Sequence, residues 1–285
     1  MEEDIAVYDL GSTPSATFLV FNQNPEADIP EYKLRWFRNR TFRVAISHAI
    51  DREGICSLVY NGMAKPLYTP ITEANRPYFE EGFYPRFEYD LKKARKLLES
   101  IGFKDRDGDG ILEDPQGHKL KFTLITNAGN KERETIGNII KEDLRKLGIE
   151  VHFQPIDFNS LVSRLTAPPY QWEAVIIGLT GSIDPHFGRN VWHSSGGLHM
   201  WHPRQKKPAT EWEAEIDRLI DLGAIELDFE KRVEIYKRLF WIITYQQPMI
   251  FIATPKSLMA SYNKLGNLFP TVWGWYEENR LYIKD

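Results

Sequence analysis

The sequence predicts an α/β fold in which strands and helices form packed layers. Short β-branched and aromatic stretches alternate with amphipathic helical stretches, and one strand–helix–strand unit has the spacing of a parallel βαβ crossover. The chain of 285 residues, 42% hydrophobic and 27% charged, is long enough to bury a substantial core.

The elements follow from periodicity and from the residues that end each stretch. The pattern predicts strands at residues 16–22, 120–126, 150–156, 173–179 and 249–253, with 258–262 pairing beside the last and a short strand at 281–283. It predicts helices at residues 37–51, 52–60, 90–101, 131–147, 158–165, 211–224 and from 229 to the break at Pro248. The proline-rich stretch 64–85 and the Gly/His/Trp-rich stretch 180–210 are predicted to be loops.

Charge and cysteine content exclude several classes of protein. The net charge of −4 argues against a nucleic-acid binder, which would carry a basic excess. The single cysteine, Cys56, excludes an intrachain disulfide and a thiolate zinc site. The acidic start has no secretory hydrophobic region, so we expect a cytosolic protein or a mature or truncated piece of an exported one.

Four motifs, in this order, resemble one protein family. They are FRVAISHAIDRE at 42–53, YDLKKARKLL at 89–98, DGDGI at 107–111, and GLTGSIDP at 178–185 with Trp192 downstream. Together they resemble the C-terminal part of the dipeptide/oligopeptide-binding class of ABC-transporter substrate-binding proteins. The resemblance extends over residues 17–285.

The resemblance implies a periplasmic binding protein-like lobe of the class II type, with a mixed sheet and helices on its faces. Because family chains are longer, it also implies that an N-terminal lobe is missing. Residues 1–15 would then be an inter-lobe segment, 16–262 the C-terminal ligand-binding lobe, and 263–285 a tail returning toward the missing lobe. It further implies a periplasmic or extracellular location and an ABC permease as partner of the intact receptor. The apolar surface left by the missing lobe would favour self-association.

The loop after the strand at 173–179 is the first candidate for a ligand site, because open α/β sheets bind ligands beyond the carboxyl ends of their strands. Its candidate residues are Thr180, Asp184, His186, Trp192 and Trp201. In peptide-binding relatives an Asp of this loop pairs with the peptide amino group, and Gly181 stands at the corresponding position. Three interpretations remain: a peptide site, an oligosaccharide site with aromatic stacking, or a simple turn begun by Asp184.

Two other stretches raise the question of a metal. His193, His199 and His202 would make a metal-carrier site if they converged, but their spacing is irregular, and isolated surface histidines are the alternative. The acidic residues Asp105, Asp107 and Asp109 with Gly110 match the start of an EF-hand loop. Position twelve is Gln116 instead of a carboxylate, so Glu113 or Asp114 would have to substitute for it. We therefore expect a turn here, and we expect no metal or other cofactor in the chain. If a metal did bind, the three aspartates would be the candidate ligands.

The tail adds Trp273 and Trp275, which either form a stacking wall for the ligand or pack against the missing lobe. The chain has no nucleophile elbow and no phosphate-binding loop, so we expect a binding protein and not an enzyme. The expected function is the solute-binding component of an ABC importer, with short peptides as the first ligand class and oligosaccharides as the second. A peptide or glycan hydrolase is the remaining alternative.

Overall fold

The computed structural model describes residues 5–284 of the chain. Its strands are β1 (Ile5–Ser12), β2 (Ser15–Phe21), β3 (Ala64–Pro66), β4 (Lys121–Asn127), β5 (Glu150–Ile156), β6 (Ala174–Thr180), β7 (Met249–Tyr262), β8 (Leu265–Gly266), β9 (Phe269–Thr271), β10 (Gly274–Tyr276) and β11 (Tyr282–Ile283). Its helices are α1 (Glu31–Arg38), α2 (Arg40–His48), α3 (Arg52–Tyr60), α4 (Leu91–Ser100), α5 (Lys131–Arg145), α6 (Phe158–Thr166), α7 (Arg189–Trp192), α8 (Glu211–Ile225) and α9 (Phe229–Gln246). Short 3-10 turns lie at Glu73–Asn75, Pro185–Gly188 and Glu278–Arg280.

A mixed sheet organises these elements. Its strand order is β1-β7-β2-β6-β4-β5, and β3 also pairs with β7. Strand β4 runs parallel to both β5 and β6, whereas β2 runs antiparallel to its neighbours β6 and β7. The predicted α/β fold with a mixed sheet is confirmed, and β4, α5 and β5 form the predicted parallel βαβ unit.

The core lies on both faces of the sheet. Strand β2 shows this most clearly, because Leu19 and Phe21 join one apolar cluster while Phe18 and Val20 join the other, as the two-residue period of a strand requires. Helices α2 to α5 contribute to the first cluster, and α6, α8 and α9 contribute to the second.

Two predicted boundaries are wrong. The helix expected at 37–51 is two helices, because Asn39 adopts an extended conformation and caps α2 by accepting a hydrogen bond from the Thr41 amide at 2.8 Å. The two strands expected at 249–253 and 258–262 are the single strand β7, which pairs with β2 near its start and with β1 toward its end.

The start of the chain is part of the sheet. The predicted inter-lobe segment 1–15 contains strand β1, which forms a ribbon with the second half of β7. Residues 1–4 and Asp285 lie outside the described part of the chain. None of the described helices is both long enough and apolar enough to cross a membrane.

Candidate functional site

A fixed loop follows strand β6 at the carboxyl end of the strand. The Gly181 amide donates a hydrogen bond to the Pro14 carbonyl at 2.8 Å, and the Asn75 side chain donates to the Ser182 carbonyl at 2.8 Å. The loop is therefore held from two sides before it enters the 3-10 turn Pro185–Gly188. The loop begins where β6 ends at Thr180, as expected from the sequence.

This loop forms one side of a groove of about 270 Å³. Aromatic rings from the sheet and from α9 line the groove, and polar side chains of the loop join them. The lining includes Phe18, Phe240, Phe251, Thr180, Asp184, Phe187, Asn190 and Trp192. Apolar surface with a few positioned polar groups is the usual chemistry of a small-molecule site.

Of the described residues that line the groove, Asp184 is the only charged one. Its Oδ1 accepts hydrogen bonds from the His186 amide at 2.8 Å and from Arg232 Nη2 at 2.8 Å. Burial by itself disfavours ionisation, but the bonds from Arg232 and the His186 amide outweigh it and hold the pKa of Asp184 below its ordinary value. The carboxylate is therefore ionised, and Arg232 already balances its charge.

The partner Arg232 is held by helix α9 and its surroundings. Its guanidinium donates to the Tyr78 hydroxyl at 3.0 Å and to the Gly223 carbonyl at 2.9 Å, and it lies over the Tyr236 ring at 4.9 Å. Sequence reasoning missed Arg232 because it is 48 residues from Asp184. The available signal was the four-residue spacing of Arg232 and Tyr236, which places both on one side of a predicted helix.

The other loop residues differ in their roles. Thr180 lines the groove, and its Oγ1 lies 3.0 Å from Ser15 Oγ. Trp192 lines it too and packs edge-to-face on Phe240 at 6.1 Å between ring centroids. His186 lies beside the groove, where its Nδ1 is 3.2 Å from the Tyr236 hydroxyl. The structure thus brings Thr180, Asp184 and Trp192 together.

The prediction that Trp201 contacts ligand is wrong, because its side chain belongs to the core. Trp201 is 1% exposed, and its indole N–H donates to Glu213 Oε1 at 3.0 Å. His199 is also fully buried, with Nδ1 at 3.0 Å from the Val191 carbonyl and Nε2 at 3.2 Å from Glu213. Both ring nitrogens of His199 are thereby engaged, so the histidine metal site is not formed here.

The two tail tryptophans are in different environments. Trp273 donates its indole N–H to the Ala74 carbonyl at 3.1 Å, in the same 3-10 turn whose Asn75 holds the groove loop. Trp275 lies in β10 opposite Pro270, and its side chain is about half exposed. Trp273 is therefore linked to the groove through the turn at 73–75.

Two further features lie outside the groove. A second cavity of about 220 Å³ lies along the loop after β3, where the Lys65–Glu73 ion pair at 2.7 Å forms part of its lining. Elsewhere, oxygens of Asp105, Asp107, Asp109 and Glu113 lie within 4.8 Å of one another. Of the two residues expected to substitute for Gln116, the cluster contains Glu113.

The comparisons with known proteins agree with this architecture. The family described as "Bacterial extracellular solute-binding proteins, family 5 Middle" matches residues 2–198. The chain belongs to this family of solute-binding proteins.

Individual relatives give the finer comparison. The chain is 34% identical to the oligopeptide-binding protein AppA of Bacillus subtilis over 228 residues, which are 79% of this chain and 40% of that protein. The structure of AppA with a nonapeptide matches with a TM-score of 0.77 at 28% identity, covering 99% of this chain and 53% of that one. The periplasmic binding protein MelB of Agrobacterium fabrum, solved with stachyose, has a TM-score of 0.76 at 19% identity, covering 98% and 44%, and shares the fold. The chain thus spans about half the length of these proteins or less.

Proposed function

We propose that the chain is the C-terminal ligand-binding lobe of an ABC importer's solute receptor, and that the groove beside β6 is one wall of an oligopeptide cleft. The observation that carries this proposal is the groove itself, which has an apolar lining and a loop fixed beyond a strand end. The similarity to AppA supports a peptide as ligand. The receptor would work outside the cytoplasm and deliver its ligand to a membrane permease.

The ribbon of β1 and β7 supports the proposal of a second lobe. In its register Ile5 lies opposite Tyr262 and Asp9 opposite Leu258, with Val7 between them on the same face. Ile5, Val7, Leu258 and Tyr262 are between 46% and 68% exposed. An isolated two-stranded ribbon with such an apolar face is marginal in water, so we infer that the second lobe covers it and that the residues leading out of the ribbon connect the lobes.

The exposed ribbon face gives a first test, because an uncovered apolar face favours self-association. We expect sedimentation of the 285-residue chain to show a concentration-dependent dimer. The double variant Ile5→Lys/Val7→Lys should be monomeric, whereas Leu227→Lys, at a side chain that is 98% exposed, should behave like the unchanged chain. A chain that is monomeric at all concentrations and binds no apolar dye would contradict the covered-face proposal.

The groove gives the second test. Phe187 lines the groove and is 76% exposed, so truncating it should cost ligand contact without disturbing the core. We expect Phe187→Ala to weaken peptide binding about tenfold, the effect of losing roughly 1.4 kcal/mol of apolar contact. Leu227→Ala is the matched control, since Leu227 is more exposed still and does not line the groove.

An oligosaccharide is the second candidate, and Asp184 favours it. Arg232 already balances that carboxylate at 2.8 Å, and Gly181 offers no side-chain charge for a peptide amino group. Calorimetric titration with penta- to nonapeptides and with stachyose separates the two candidates. Peptide binding that weakens in Phe187→Ala supports the proposal, whereas binding of stachyose and of no peptide would favour the oligosaccharide alternative.

A hydrolase is the remaining alternative. Mass spectrometry of the recovered peptide tests it, because cleavage products would refute a purely binding role.

A further inference from the structure

A second set of polar groups converges in the turn between residues 104 and 119, and none of them lines the groove. Each of Asp105, Asp107 and Asp109 accepts a hydrogen bond from a main-chain amide within the turn. Gly110 has a φ of +88°, a left-handed conformation that side chains other than glycine rarely adopt. The three carboxylates are therefore oriented by the backbone toward a common region.

Glu113 is the independent sign that this region receives a ligand. It is 4% exposed, and one of its carboxylate oxygens lies within 4.8 Å of oxygens from all three aspartates. Its Oε2 accepts a hydrogen bond from the Arg106 amide at 2.7 Å, whereas its buried Oε1 has no hydrogen-bond partner among residues 5–284. Burying an unpaired carboxylate oxygen is unfavourable, and a bound cation would remove this cost.

We propose that Asp105, Asp107, Asp109 and Glu113 bind one Ca²⁺ ion. Carboxylate oxygens are hard ligands, and Ca²⁺ accepts six to eight oxygens in irregular arrangements, whereas Mg²⁺ demands a near-ideal octahedron and keeps its waters. Glu113 stands at the ninth position counted from Asp105, so it supplies the fourth carboxylate that Gln116 at the twelfth position does not. Without a bidentate carboxylate there, the dissociation constant should be on the order of 10⁻⁴ to 10⁻³ M.

Lys119 competes with the ion. Its ammonium contacts Asp109 and lies 2.9 Å from Asp107 Oδ2. The Lys119 side chain is 33% exposed and flexible, so the ammonium can turn into solvent when Ca²⁺ enters. Removing it should therefore tighten Ca²⁺ binding, a direction that a purely structural ion pair does not predict.

Equilibrium dialysis of the chain against radioactive Ca²⁺, with excess Mg²⁺ present, tests the site directly. We expect one saturable ion per chain, binding at least about tenfold weaker in Asp107→Asn and Glu113→Gln, and binding about threefold or more tighter in Lys119→Met. The matched control is Asp221→Asn, because Asp221 is an exposed carboxylate outside the cluster, close to Arg189 at 3.2 Å and His193 at 4.0 Å, and its loss should leave Ca²⁺ binding unchanged. Ca²⁺ should also raise the unfolding midpoint of the chain but not that of Asp107→Asn.

Two results would overturn the proposal. One is the absence of saturable binding up to about 10 mM Ca²⁺, and the other is unchanged affinity in Asp107→Asn, which would place the ion elsewhere. Asp107 is exposed, so Asp107→Asn should fold, and it tests the site even if Glu113→Gln does not fold. The readout is metal binding alone and does not depend on the solute that occupies the groove.

Discussion

A sharp prediction concerns Glu213, the buried carboxylate beneath the long loop after β6. Its Oε1 accepts hydrogen bonds from His199 at 3.2 Å, Trp201 at 3.0 Å and Gln205 at 2.8 Å, and its Oε2 accepts one from Thr210 at 2.7 Å. Burial by itself raises the pKa of Glu213, but the bonds from His199, Gln205 and Thr210 outweigh it and lower the pKa from 4.5 to about 2. The folded state thus stabilises the charged form.

The magnitude follows from the same numbers. The difference between 4.5 and about 2 corresponds to roughly 3 kcal/mol at 1.36 kcal/mol per pH unit. Because the pKa is lower in the folded state, this stability is fully present above pH 4.5 and is lost as the pH falls toward about 2. The substitution Glu213→Gln removes the charge and leaves a neutral amide oxygen, a weaker acceptor than a carboxylate, for the N–H donors that converge on Oε1. We expect it to lower the free energy of unfolding by about 3 kcal/mol at pH 7.

Urea denaturation followed by circular dichroism at pH 7, 4 and 2.5 measures the effect. The gap between the unchanged chain and Glu213→Gln should narrow as the pH falls, while Glu234→Gln, at a side chain that is 71% exposed, should show almost no gap at any pH. A gap below about 1 kcal/mol at pH 7, or one that stays constant down to pH 2.5, would refute the reasoning.

Two substitutions test the packing around the sheet by the same urea assay. A Cβ at position 137 would lie 2.3 Å from the Phe153 ring, so Gly137→Ala should destabilise the chain by about 1–3 kcal/mol. The control Asn138→Ala, one position along α5, should change the stability little. A Gly137→Ala variant that is more stable than the unchanged chain would contradict this, because it would show that the ring moves freely. Asn39→Ala should cost about 1 kcal/mol, because α2 loses the cap that accepts from the Thr41 amide at 2.8 Å, and Asn39→Asp should retain it. Equal stability of both variants at position 39 would contradict the capping role.

The sequence predicted an element correctly where the spacing of its apolar residues and the residues that end it indicated the same boundaries. Helix α5 was predicted because its apolar residues keep helical spacing and Gly148, with a φ of +80°, follows it. The break at Asn39 was missed because the residues on both sides of it, Phe37 and Phe42, are apolar members of the same core. Helical periodicity gives no signal for a capping residue between them. Strand β7 was split in the prediction because Pro255 interrupts it, yet the structure places that proline at its junction with β3.

The candidate site was predictable only in part, for a physical reason. Topology alone located Thr180, Asp184 and Trp192, since the end of a strand fixes where its loop begins. Trp201 was misassigned because a tryptophan in a polar loop looks exposed until its partner is known. That partner, Glu213, is twelve residues away on α8, and sequence spacing does not reveal such a contact.

The pairing of Asp184 with Arg232 has a consequence for recognition. A ligand ammonium gains little from a carboxylate whose charge is already balanced at 2.8 Å, and separating the pair would leave Arg232 part-buried without its counter-charge. If the groove binds solute as proposed, we therefore expect contacts with rings and main-chain groups to contribute more than contacts with a terminal charge. Under the proposed two-lobed arrangement, discrimination between free and blocked peptide termini would fall to the opposite lobe. This chain alone should consequently bind a peptide and its N-acetylated form with the same affinity, and a strong preference for the free amine would contradict the argument.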